Sequence, residues 1–317
     1  MKYFRVHLAL FLVALTAFSV VVLLYTKSSS GQSQKTGKAR SVNRVLKPNV
    51  TDSQKPADGA TKIEHDSPAF GVAASRNVVL RTELNWTFGG KQQRGWYLYT
   101  PLINQLLGSE YDAASEAFAS ALSRWQKKSG LTPTGVLNEE SLYRMISEWQ
   151  SRRLKGYGYA RPDELVTAPT SDFYDPSRPD ELRQVEHETY AAYKRMVAAA
   201  ASDPELQLTL GAGGELAPSE KYLKIVSAFR SSEYQEQLRR QSPNAGSAGL
   251  AINSPHFTGR ALDLYVGGKP VETNDSNRAL QVQTPVYRWL VRNAARFGFR
   301  PYYYEPWHWE YTGMSPK

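Results

Sequence analysis

Two segments near the C-terminus hold the side chains best suited to chemistry: Ser254-Pro-His256-Phe-Thr-Gly259-Arg-Ala261-Leu-Asp263 and Glu305-Pro-Trp307-His308. Together they offer two imidazoles and a carboxylate. A catalytic zinc site needs three nitrogen or oxygen ligands and one position open to water, and His256, Asp263 and His308 would supply those three. Glu305 is then free to act as a base. The chain has five histidines in all, so two of them inside short carboxylate-bearing motifs do not look like an even scatter. The chemistry this points to is metal-assisted hydrolysis. Two other hydrolase patterns are missing. His187-Glu188 lacks a second histidine four residues after the first, as a helical zinc-protease motif requires. Ser254 does not stand in a G-x-S-x-G turn, which disfavours a serine nucleophile.

The pattern S-x-H-x-x-G-x-A-x-D followed by E-x-x-H-W resembles the zinc D,D-peptidases of bacterial cell walls, the group containing the vancomycin-resistance D-Ala-D-Ala carboxypeptidases and dipeptidases. Every fixed position is matched, Trp309 included, and the likeness spans roughly residues 175 to 317. The resemblance implies a zinc ion as cofactor, His256, Asp263 and His308 as its ligands, and Glu305 as catalytic base. It also implies that Arg230, in Ser-Ala-Phe-Arg230-Ser, is the substrate-facing cation, pairing with a terminal carboxylate or steadying a charged intermediate. Ser254 is expected near the substrate, and Tyr303, Trp307 and Trp309 are expected either to wall the pocket, with Trp307 touching the substrate, or to belong to the core. The reaction implied is removal of the terminal D-alanine from peptidoglycan stem peptides. The same chemistry serves an endopeptidase or an L,D-carboxypeptidase, and a non-catalytic wall-binding scaffold is the alternative of a different class.

Charge and composition narrow the partners. Of the net charge of +9, residues 1–50 carry +8, with eight Lys and Arg and no Asp or Glu. The charge therefore sits in a tail rather than across a folded face, and no nucleic-acid partner is expected. Leu8 to Leu24 is apolar apart from Thr16 and Ser19, and its 17 residues reach the lower limit for a bilayer span. No clear small-x-small cleavage site follows Leu24, so residues 1–26 are expected to be an uncleaved signal anchor. The expected location is the cell membrane, single-pass, with the catalytic domain facing the periplasm or cell wall, because the substrate is found there. Lys and Arg are more numerous after the span than before it, which opposes that orientation. The absence of cysteine is compatible with an oxidising compartment.

These elements must carry the motifs. Residues 27–79, rich in Ser, Lys, Gly and Gln, read as a flexible linker. Residues 80–155 read as a three-helix domain. One helix lies around Leu102 to Leu107, one carries Ala114, Phe118, Ala121 and Trp125 on a single face, and one is capped by Asn138 with Leu142, Met145, Ile146 and Trp149 buried. The stretch from Phe118 to Leu137 resembles a small peptidoglycan-binding domain, which would bind through the loop near Gly130 to Gly135. Residues 156–179, with four X-Pro pairs, read as a second linker. Residues 180–317 form the catalytic domain, giving an α+β fold with a small antiparallel sheet and flanking helices. Within it we expect a helix from Asp180 to Ala201, a glycine turn at Gly211 to Gly214 and a strand from Tyr222 to Phe229 ending at Arg230. A helix capped by Ser232 with Gln235, a loop from Gln241 to Asn253 and a strand from Arg260 to Val266 follow. A helix then starts at Thr284-Pro285 and stops at Gly298, before closing strands at Tyr302 to Tyr304 and Trp307 to Tyr311.

Overall fold

In the computed structural model, which describes residues 69–156, 159–241 and 254–313, the helical pattern of the first half begins earlier than its composition suggests. Helix α1 spans Ala69–Glu83, so the expected tether gives way to helix within residues 69–79. The reason lies downstream. The side chain of buried Asn77 donates to Gly135 O at 2.9 Å and accepts from Leu137 N at 2.8 Å, stitching α1 to a loop 58 and 60 residues away. A hairpin follows, β1 (Asn85–Phe88) and β2 (Lys91–Arg94), turning on Gly89 and Gly90 with φ of 55° and 76°. A two-residue hairpin turn of this kind needs positive φ at both positions.

The three expected helices are present as α2 (Thr100–Leu107), α3 (Glu116–Lys128) and α4 (Glu139–Ser151), but Ala114, expected on the buried face of the second, precedes its cap and is exposed. Ser115 caps α3 by accepting from Phe118 N at 3.1 Å, and Asn138 caps α4 by accepting from Ser141 N at 3.0 Å. Each cap satisfies an amide that the first turn leaves without a helical partner. Phe118, Trp125 and Trp149 are buried and belong to the core.

Residues 156–179, expected as a linker, contribute strand β3 (Leu165–Thr167), antiparallel to β4 (Gln184–Glu186). That pairing delays the helix expected from Asp180. Residues Asp180–Leu182 make only a single 3-10 turn, and α5 runs from His187 to Ala201. Glu186 caps it, accepting from Glu188 N at 3.1 Å and Thr189 N at 2.8 Å.

The remaining elements build one four-stranded antiparallel sheet. In chain order they are β5 (Ile225–Ser227), α6 (Ser232–Gln241), β6 (Ala261–Leu264), α7 (Asp275–Gln283), α8 (Pro285–Asn293), β7 (Phe299–Pro301) and β8 (His308–Tyr311). The sheet order is β5-β6-β8-β7. The strand expected at Tyr222 to Phe229 is thus only three residues long. The strand expected at Tyr302 to Tyr304 is instead a turn, because Glu305 N bonds to Tyr302 O at 3.2 Å and His308 N to Glu305 O at 2.9 Å. The cap of α6 is Ser231 rather than Ser232: its hydroxyl accepts from Tyr234 N at 3.2 Å. All residues of β5, β6 and β8 are buried, so both faces of the central strands are covered.

All the described residues fall in one compact unit, and one apolar core runs from Leu84 to Tyr311. Tyr303 is a junction in it, with ring centroids 5.3 Å from Phe88, 5.5 Å from Tyr99 and 6.0 Å from Trp149. The expected anchor at Leu8 to Leu24, the expected tether up to residue 68 and residues 242–253 of the expected loop lie outside the described residues. Among the described residues no helix is long and apolar enough to cross a membrane.

Candidate metal centre

Strand register brings the two motifs together. Ser227 on β5 pairs with Asp263 on β6, and Asp263 pairs with His308 on β8, so the three lie side by side on one rung. Side chains directly opposite across an antiparallel pair approach closely. His256 reaches the same point from a 3-10 turn, Pro255–Thr258, capped by Ser254. Gly259 ends that turn at φ 66°, and a Cβ there would stand 2.9 Å from the backbone nitrogen of Glu186. Glycine permits this backbone bend, which brings His256 back over Asp263. Arg230 N bonds to His256 O at 3.3 Å, which ties the end of β5 to the turn.

One ligand atom from each of His256, Asp263 and His308 can be chosen so that all lie within 4.8 Å of one another, and all three residues are buried. Outer partners decide which imidazole nitrogen faces inward. His256 Nδ1 lies 2.7 Å from Ala228 O, a pure acceptor, so Nδ1 carries the proton and Nε2 presents its lone pair. That Nε2 is buried without a hydrogen-bond partner, 3.4 Å from Asp263 Oδ2. His308 Nε2 meets Glu310 Oε1 at 3.2 Å, leaving Nδ1 toward Asp263 Oδ1 at 3.0 Å. A buried, unpartnered imidazole nitrogen beside a carboxylate and a second imidazole fits a divalent metal ion with nitrogen and oxygen preference.

Without metal, the two imidazoles differ in charge. Burial lowers the pKa of His256 to about 4, aided by the charge of Arg230. Burial also opposes a charge on His308, but hydrogen bonds to Asp263 and Glu310 outweigh it and push the pKa up to about 9. Burial disfavours ionised Asp263 too, yet interactions with His256 and His308 hold its carboxyl well below the usual range. Metal and proton therefore compete for His308 Nδ1. Below about pH 9 a proton must leave as metal enters, so affinity should rise by about tenfold per pH unit toward that value and level off above it. Chelator-competition titrations between about pH 6 and pH 8 check this; an affinity independent of pH would contradict it.

Glu305, 4 % exposed, sits in the turn preceding His308, and burial is the main cause that pushes its pKa up to about 7. Arg230 is buried beside Asp263, with Nη2 3.2 Å from Oδ2 and with Nε and Nη2 on Ser227 Oγ at 3.2 and 3.0 Å. Among the described residues no hydrogen bond uses its Nη1. Ser254 is buried and its hydroxyl accepts from His256 N at 3.4 Å, so it shapes the ligand turn. Trp307 is 1 % exposed and its indole nitrogen has no partner among the described residues. Trp309 and Tyr303 are core residues, and Trp309 Nε1 donates to Pro306 O at 3.1 Å, bracing the bend between Glu305 and His308.

Sequence reasoning missed Ser227, Ala228 O and Glu310. The signal for Glu310 was available: on a strand, residues two apart share a face, so His308 and Glu310 point the same way.

Residues 215–314 match the VanY family model, described as D-alanyl-D-alanine carboxypeptidase. The matched segment contains every candidate ligand together with Arg230, Ser254, Glu305 and Trp307, and it leaves out the helices before it. The resemblance drawn from the paired motifs is therefore met over this segment, and a peptidase acting on peptidoglycan stem peptides is what the family implies. No curated protein matches the chain.

Proposed function

We propose that this chain is a zinc-dependent peptidase that hydrolyses peptidoglycan stem peptides, releasing the terminal D-alanine. The observation that carries the reading is the inward-facing set of His256 Nε2, Asp263 and His308 Nδ1, each fixed by an outer partner, within the segment matching the carboxypeptidase family. A zinc ion held there would polarise the scissile carbonyl and make hydroxide available near neutral pH. Glu305, with its pKa lifted toward neutrality, takes the proton of the attacking water and hands it to the leaving amine. Arg230 keeps Nε and Nη2 on Ser227 and Asp263 and offers Nη1 to the substrate carboxylate or to the oxygen that gains charge. Ser254 and Trp307 border the substrate in this reading. The anchor, the tether and wall binding by the loop near Gly130 complete it as a membrane-held enzyme working outside the cell.

The test is mass spectrometry of pentapeptide and crosslinked muropeptides incubated with the full chain, with and without chelator and added zinc. Loss of one terminal alanine, abolished by chelator, supports the carboxypeptidase. Cleavage confined to crosslinked material points to an endopeptidase, and zinc binding without any product points to a scaffold.

A further inference from the structure

Beyond the three ligands, a buried ion pair ends on one of them. Glu310 is 0 % exposed, and its carboxylate gathers four donors: His308 Nε2 at 3.2 Å, Arg153 Nε at 3.0 Å, Arg153 Nη2, and the backbone nitrogen of Leu154 at 3.0 Å. Arg153 is held in turn. Its Nη1 donates to Gln150 Oε1 at 2.9 Å and its guanidinium lies 4.0 Å from the centre of the Tyr302 ring. On the strand beside it, Glu310 faces Ala261, which leaves room for the cluster.

Burying such a pair costs several kcal/mol of desolvation, so stability alone is a poor explanation for it. The pair does have a specific geometric result. It fixes which nitrogen of His308 is turned to Asp263, as an acceptor behind a ligating histidine does. Arg153 and Leu154 lie just past the C-terminus of α4, in the helical part of the chain that the family match leaves out. We propose that Arg153 and Glu310 are a positioning pair for His308, through which the helical part of the chain completes the metal centre. The helical segment is then not an accessory appended to a self-sufficient site. Its aromatic rings support the same conclusion, since Phe88, Tyr99 and Trp149 pack on Tyr303 in the turn that bears Glu305.

The proposal rests on the metal-dependent reading above, and its test separates the two. Zinc affinity of the full chain is measured by competition with a chromogenic chelator, and the cobalt-loaded protein is followed by its visible absorption, which reports ligand geometry. Glu310→Ala and Arg153→Ala should each weaken zinc binding by about 10- to 100-fold. Glu310→Gln keeps an oxygen able to accept from Nε2 and should recover part of the loss while still shifting the cobalt spectrum. Circular dichroism of the metal-free variants identifies those that fold, and if Arg153→Ala does not, the two Glu310 variants decide. A parent that binds zinc alongside folded Glu310 variants with equal affinity and unchanged cobalt spectra overturns the positioning pair alone. A parent that binds no metal overturns the peptidase reading and this proposal with it.

Discussion

Glu305→Gln should retain its zinc and lose turnover by about 10²- to 10⁴-fold, the range a positioned general acid–base group contributes. The substitution keeps the shape of the side chain and removes its ability to accept a proton. Glu305 is separate from the three-residue ligand group, so metal content should be that of the parent. Its burial has a purpose in this scheme. A carboxylate in water titrates near 4.3 and would hold a proton too weakly to return it to an amine, whereas burial brings Glu305 to about 7. Because the group acts on the reacting atoms, the loss belongs in kcat, with KM for the pentapeptide little changed. Metal analysis and steady-state kinetics on the same sample check both halves, and a variant as active as the parent removes Glu305 from the mechanism.

How far the sequence reveals such a site depends on whether the interactions involved are local. Asn138 was legible as a cap because a capping side chain bonds an amide three residues ahead. Gly259 was legible because glycine takes a φ of 66° without the steric cost that a side chain adds. The grouping of His256, Asp263 and His308 was legible through the paired motifs, which the register of Asp263 with His308 brings together. What failed was decided at long range. Asn77 recruits part of the apparent tether into α1 by bonding a loop far along the chain. The strand β4 takes residues that look helical because β3 is there to pair with them. No composition rule marks Arg153 as a partner of Glu310, 157 residues away.

His256→Ala should lose both the metal and the activity, and the contrast with Glu305→Gln is what divides the site into holding and reacting groups. His256 offers a lone pair already desolvated and aimed, since Ala228 O fixes its proton on Nδ1 and nothing else in the described structure bonds Nε2. The alternatives left after its removal are one carboxylate and one imidazole, and His308 is then an imidazolium held by Asp263 and Glu310. Metal must displace that proton with one ligand fewer, so affinity should fall by more than the roughly 100-fold expected of an outer partner. Thermal unfolding gives a readout independent of catalysis. Zinc at 100 times its Kd stabilises a binding-competent parent by about 2.7 kcal/mol. At about 2–4 °C per kcal/mol for a chain of this size, the parent's Tm should rise by several degrees and that of His256→Ala should not move. The variant also leaves Ala228 O without its donor, a cost of about 1–3 kcal/mol present with or without zinc. The comparison is therefore between zinc-induced shifts, not absolute Tm values. If His256→Ala gained the parent's full shift, His256 would be a structural histidine, and the orientation of its Nε2 toward Asp263 would need another cause.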